Sequence, residues 1–69
     1  MKIIKCYDAK NKEEDGYNKF IADIDCDEIP KENDYIIINK MSYQVDYRMF
    51  YCNEENTCYL VNLYLKAIK

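Results

Sequence analysis

Histidine and tryptophan are absent, and one glycine and one proline serve all 69 residues. Without histidine, no side chain has an ordinary pKa suited to general acid–base work near neutral pH. A single glycine excludes a glycine-rich phosphate loop, and no serine is flanked by glycines as in a nucleophile elbow. A cysteine nucleophile would need a base to activate it, and none of the four has a histidine to draw on. So short a chain also has little room for a water-excluding cleft of ~300 Å³ or more. The expectation is a non-enzyme that carries no cofactor.

Long apolar runs are missing too. The longest uncharged stretch, residues 56–65, is far shorter than the ~20 residues of a membrane helix. The N-terminal "MKIIKCYDAK" has neither an extended apolar segment nor a small-residue cleavage site, so the expected compartment is the cytoplasm of a bacterial host cell, where thiols stay reduced. Ten Lys and Arg against 13 Asp and Glu give a net charge of −3, with both signs dispersed. No basic patch is available to collect phosphates, and neither direct nucleic-acid binding nor a membrane partner is expected. Residues 1–69 fit one small domain, a size at which association with a partner or a second copy contributes usefully to stability.

Four cysteines suggest zinc, but Cys6, Cys26, Cys52 and Cys58 contain no C-x₂₋₄-C pair, so they read as reduced thiols acting as small apolar side chains. Asp23-x-Asp25-x-Asp27 imitates the start of a calcium loop. It has Glu28 where that loop needs glycine, and Pro30 breaks its path, so no metal is expected.

What the chain does have is alternation. Tyr43, Val45, Tyr47, Met49 and Tyr51 occupy odd positions with Gln44, Asp46 and Arg48 between them, and Tyr59, Val61, Leu63 and Leu65 repeat the pattern. These two runs, joined by "NEENT", predict a hairpin. If Asn53 faces Thr57, the loop is Glu54-Glu55-Asn56 with Asn56 left-handed, and odd positions pair throughout: Tyr51 with Tyr59, Met49 with Val61, Tyr47 with Leu63, Val45 with Leu65. Cys52 then faces Cys58, close enough for a cross-strand disulfide in principle and reduced in the cytosol. Upstream, Asn39-Lys40 predicts a two-residue turn pairing Ile38 with Met41 and Ile36 with Tyr43. "MKIIKCY" is a short strand candidate, and "DAKNKEEDG" a charged connection ending in a turn. Residues 17–27 fit either a strand, with Phe20, Ala22, Ile24 and Cys26 on one face, or a helix, and the weak helix formers Asp23, Asp25 and Asp27 favour the strand. The expected fold is all-β, a five-stranded antiparallel meander or small barrel, with a helix at 17–27 as the alternative that would make it α+β.

Over residues 29–65 the pattern Ile29-Pro30, Asp34, Ile36, Ile38, a tight turn, and Tyr43-x-Val45 before a final hairpin resembles small β-strand accessory proteins of phages and mobile elements of Gram-positive bacteria. Asn33 and Lys40 stand where such proteins usually have glycine. The resemblance covers fold-specifying positions and transfers no active site. It implies a phage or mobile-element protein, often one that acts on a host component.

The predicted register places Phe50, Cys52, Cys58, Leu60 and Tyr64 on the outer face, with Tyr35 and Ile37 on the neighbouring strand. An apolar, aromatic face on a sheet that should be half solvated points to a contact surface. Asp23, Asp25 and Asp27, projecting from one side of a strand, form either a solvated acidic row or a contact for a basic surface. The expected partner-binding set is therefore Phe50, Leu60, Tyr64, Tyr35, Asp23, Asp25 and Asp27. The expected function is a steric inhibitor of a host or antiviral-defence protein such as a CRISPR effector. A self-associating assembly protein, and an oligomer that sequesters a nucleotide signal, are the alternatives.

Overall fold

In the computed structural model, which describes residues 3–68, five strands form one sheet: β1 (Ile3–Lys12), β2 (Asn18–Ile24), β3 (Tyr35–Ile38), β4 (Met41–Cys52) and β5 (Cys58–Ala67). No helix occurs among the described residues, so 17–27 is not helical. The strand order is β2-β1-β5-β4-β3. Pairing is antiparallel except at the centre, where β1 runs parallel to β5 with Ile4 beside Val61 and Cys6 beside Leu63. The sheet is therefore mixed, and the first strand lies between the second and the last instead of continuing a purely antiparallel arrangement. The reason lies in β5. Val61 to Leu65 are buried on both faces, the environment of a central strand, and β5 takes that place with β1 on one edge and β4 on the other.

Ile4, Cys6, Val45, Val61, Leu63 and Leu65 are fully buried and form the core. Ile21 and Ile24 from one edge strand and Ile36 and Ile38 from the other pack on that same cluster, as does Ile29 from the intervening connection. Side chains from opposite edges can reach one core only if the sheet curls, so the molecule is a half-barrel with a concave, core-bearing face and a convex outer one.

Two turns follow the sequence. Asn39 and Lys40 both have positive φ, 50° and 70°, and close the Ile38–Met41 pair as a type I′ turn does. At the other hairpin Asn53 N–H donates to the Thr57 carbonyl and Asn56 has φ 63°. The Asn53 side-chain oxygen accepts from the Glu55 and Thr57 amides, which fixes the loop. β1 runs further than expected, to Lys12, and the turn to β2 closes with Gly16 at φ 89°.

The register of the β4–β5 hairpin departs from strict alternation. Val45 faces Leu65 and Cys52 faces Cys58 as predicted, but between them Tyr47 faces Tyr64, Arg48 faces Leu63, Met49 faces Asn62, Phe50 faces Val61 and Tyr51 faces Leu60. One bulge, at Asp46 in β4, and a second, at Tyr59 in β5, account for the shift and for its reversal. An extra residue reverses which face every following side chain takes. Tyr43 and Val45 point to the core, whereas Tyr47, Met49 and Tyr51 point outward. Arg48 and Phe50 lie on the face shared with Val61 and Leu63. A third irregularity, at Ile21 in β2, turns Ile21 inward and puts Phe20 beside Tyr7 on the convex side.

Two substitutions check this packing by urea denaturation. Leu63→Ala empties a site at the centre of the core and is expected to cost about 2–5 kcal/mol. Lys40→Gly removes a side chain from a left-handed position and is expected to stabilise the protein by about 1 kcal/mol.

Candidate protein-binding face

Four aromatic side chains cross the convex face in direct cross-strand register, from β4 to β2. Tyr47 stacks on Tyr64 with ring centroids 4.4 Å apart, Tyr64 stacks on Tyr7 at 5.6 Å, and Phe20 meets Tyr7 edge-on at 5.6 Å. Cross-strand aromatic pairs of this kind stabilise a sheet by roughly 0.5–1.5 kcal/mol each beyond their burial. Their outer parts remain open to solvent: Phe20 is 49 % exposed and Tyr47 40 %.

The next row is polar at its centre. Met49, Asn62, Lys5 and Asp23 stand side by side across four strands. Lys5 Nζ pairs with Asp23 Oδ1 at 3.2 Å and lies 5.7 Å from the centre of the Phe20 ring. An ion pair this exposed contributes little stability. Asn62 is buried; its Nδ2 reaches the Tyr64 hydroxyl at a long 3.4 Å, and its Oδ1 has no partner. Burial, reinforced by the adjacent Tyr64, holds the Tyr47 and Tyr51 hydroxyls above the usual phenol pKa, so both are neutral donors at physiological pH. β3 extends the face, since Ile36 and Ile38 point to the core and Tyr35 and Ile37 therefore point outward, 72 % and 74 % exposed.

Of the residues singled out from the sequence, Leu60, Tyr64 and Tyr35 lie on this convex face. Phe50 does not: the bulge at Asp46 sends it to the opposite face, beside Val61, where Arg48 covers its ring at 5.1 Å. Tyr64 is also a buried member of the ladder and not a free contact. The acidic row is incomplete, because β2 ends at Ile24. Asp23 is on the strand and paired with Lys5, while Asp25 and Asp27 come after it in the exposed connection. Cys58 packs against the core cluster instead of facing outward.

Tyr7, Phe20, Tyr47, Met49 and Asn62 were not among the residues singled out, although alternation along β5 already put Asn62 on the outer side with Leu60 and Tyr64. One signal was present in β5. "YLVNLYL" is apolar at both parities apart from Asn62, which marks a strand covered on both sides and so implies an outer layer of its own.

The remaining polar features are structural or open. Asp8 Oδ1 accepts from the Lys10 and Asn11 amides at 2.9 and 3.0 Å, and Oδ2 accepts from Asn11 Nδ2 at 2.8 Å. Burial acts to raise the Asp8 pKa, but these hydrogen bonds outweigh it and hold the carboxyl below its usual range. Asp8 also borders an open cleft of ≈ 360 Å³ between the two sheet edges, with Lys19, Ile21, Ile38 and Met41. Cys6 is buried in the core and its thiol is pushed up to about 11, chiefly by burial, whereas Cys26 and Cys52 are exposed.

Two measurements check these environments. A chromogenic disulfide reagent at neutral pH is expected to titrate Cys26 and Cys52 rapidly in the native protein and Cys6 only after unfolding. Because the folded Asp8 carboxyl is more acidic than in the open chain, its contribution is present at neutral pH and lost as pH falls through 3.8 and below. Asp8→Asn is accordingly expected to flatten the acid limb of a stability-versus-pH curve between pH 5 and about 2.

In comparisons with known proteins, the chain matches no family model, no curated protein and no solved structure.

Proposed function

We propose that the chain is a non-catalytic protein-binding module that acts by covering a surface of another protein with its convex face. The observation that carries this reading is the aromatic ladder running from Phe20 through Tyr7 and the buried Tyr64 to Tyr47, with the exposed Tyr35 and Ile37 on the same face beyond Gln44 and Ser42. On the outer side of a half-barrel this small, water is the default neighbour, and a contiguous apolar patch there marks a contact surface. Rigid aromatic side chains, already stacked against one another, lose little rotamer freedom on binding. The ladder rigidifies the centre of the patch, and Lys5 and Asp23 lie beside it as a polar border.

The resemblance to phage and mobile-element accessory proteins gives the reading its specific form: a cytoplasmic inhibitor that occludes a working surface of a host or antiviral-defence protein. Steric occlusion asks for no catalytic group, in keeping with a chain that lacks histidine and any glycine-rich loop.

Affinity capture from a host lysate separates this face from the rest of the molecule. Wild type is expected to retain a partner at stoichiometric level, the double variant Ile37→Asp/Tyr47→Glu to lose it, and Phe50→Asp, altered on the other face, to keep it. Equal recovery by wild type and the double variant, with both folded by circular dichroism, would remove the convex face from consideration.

A further inference from the structure

β4 is 12 residues long, but its outer neighbour β3 has only four, which pair with Met41 to Gln44. Asn33 and Asp34 continue the contact as far as Val45 through backbone bonds of 2.9 Å. Beyond Val45, residues 46–52 are paired with β5 alone among the described residues. Alternate residues of this stretch direct N–H and C=O groups away from β5, which makes a template for another strand.

The other two edges are blunted. β3 is short and is preceded by Pro30 and Asp34. β2 carries Lys19 and Asp23 and is interrupted by two register breaks. Lysine, proline, shortness and irregularity are the usual protections of an edge. Residues 47–51, "YRMFY", carry no lysine or proline and pair regularly with β5 between the bulges at Asp46 and Tyr59, and Met49 and Phe50 are each nearly half exposed.

We infer that a second copy of this chain pairs with β4 through residues 46–52, antiparallel about a two-fold axis at Met49, joining two half-barrels edge to edge into one continuous sheet. A register about Met49 is the one that pairs the whole of residues 46–52 with itself, and it sets no like charges opposite one another. About Met49, Tyr47 faces Tyr51 of the partner and Arg48 faces its Phe50. Each guanidinium, already over its own Phe50 ring at 5.1 Å, thus gains a second aromatic neighbour. Centring the pair on Arg48 would set two guanidinium groups face to face, and centring it on Phe50 would bring Asp46 opposite Glu54. Centring it on Tyr47 would require residues that already bind β3. Every pair in the chosen register joins positions of the same parity, so convex side meets convex side and the two aromatic ladders lie on one surface. This dimer depends on the β4 edge alone and forms whether or not the convex face binds another protein.

Sedimentation of the purified protein over a range of concentration, with position-specific cross-linking, tests it. Wild type is expected to shift from monomer to dimer as concentration rises. Met49→Lys, which opposes two ammonium groups on the axis at an already exposed position, is expected to weaken dimerisation about tenfold or more with the fold intact by circular dichroism. In a Cys26→Ser/Cys52→Ser background, Met49→Cys is expected to cross-link to itself under mild oxidation and Ile37→Cys is not. A monomer at every concentration overturns the proposal, as does a dimer that Met49→Lys leaves unchanged and Met49→Cys fails to trap.

Discussion

The parallel pairing of β1 with β5 is the constraint on which the rest of the structure depends. All of the fully buried core except Val45 comes from these two strands, with Ile4 and Cys6 from the first and Val61, Leu63 and Leu65 from the last. Closing the chain on itself from near its first residue to near its last costs loop entropy before any burial offsets it. That cost is met by a strand apolar on both faces, and without β1 the core would lose Ile4 and Cys6 and β2 would have no neighbour in the sheet. The two edge strands then contribute isoleucines to a cluster that the central pair has already assembled.

Three small irregularities decide how the remaining apolar residues are shared between the two faces. Asp46, Tyr59 and Ile21 each sit at a break in register, and each reverses the parity of the residues after it. Strict alternation would have buried Tyr47, Met49 and Tyr51 in the core. The breaks instead bring Tyr47, Tyr64, Tyr7 and Phe20 into line on the convex side, where they stack. Bulges also increase local twist, which suits a sheet that must curl so that its two edges share one small core.

The same arrangement leaves two unpartnered features, which differ in kind. The convex face is a side-chain surface: aromatic, rigid, and interrupted by one buried amide whose oxygen has no partner. The outer edge of β4 is a backbone surface, left open because β3 is short. Side-chain surfaces select partners by shape and chemistry, whereas an open edge accepts any strand that can match its hydrogen bonds without opposing like charges.

Local signals in the sequence were enough for the turns and for the fold class. Asn39-Lys40 and Asn56 take the left-handed conformations expected at those positions, Cys52 meets Cys58 beside the turn, and the alternation over residues 18–24 forms a strand and not a helix. Each of these depends on residues near one another in the chain, where propensity and turn chemistry act. Tertiary structure alone decided the parallel insertion of β1, the face taken by Phe50 and Tyr47, and the end of β2 before Asp25. Those features depend on which distant strand is adjacent and on where an extra residue is accommodated. A period of two carries no mark of a bulge, because the alternation reads the same on either side of it.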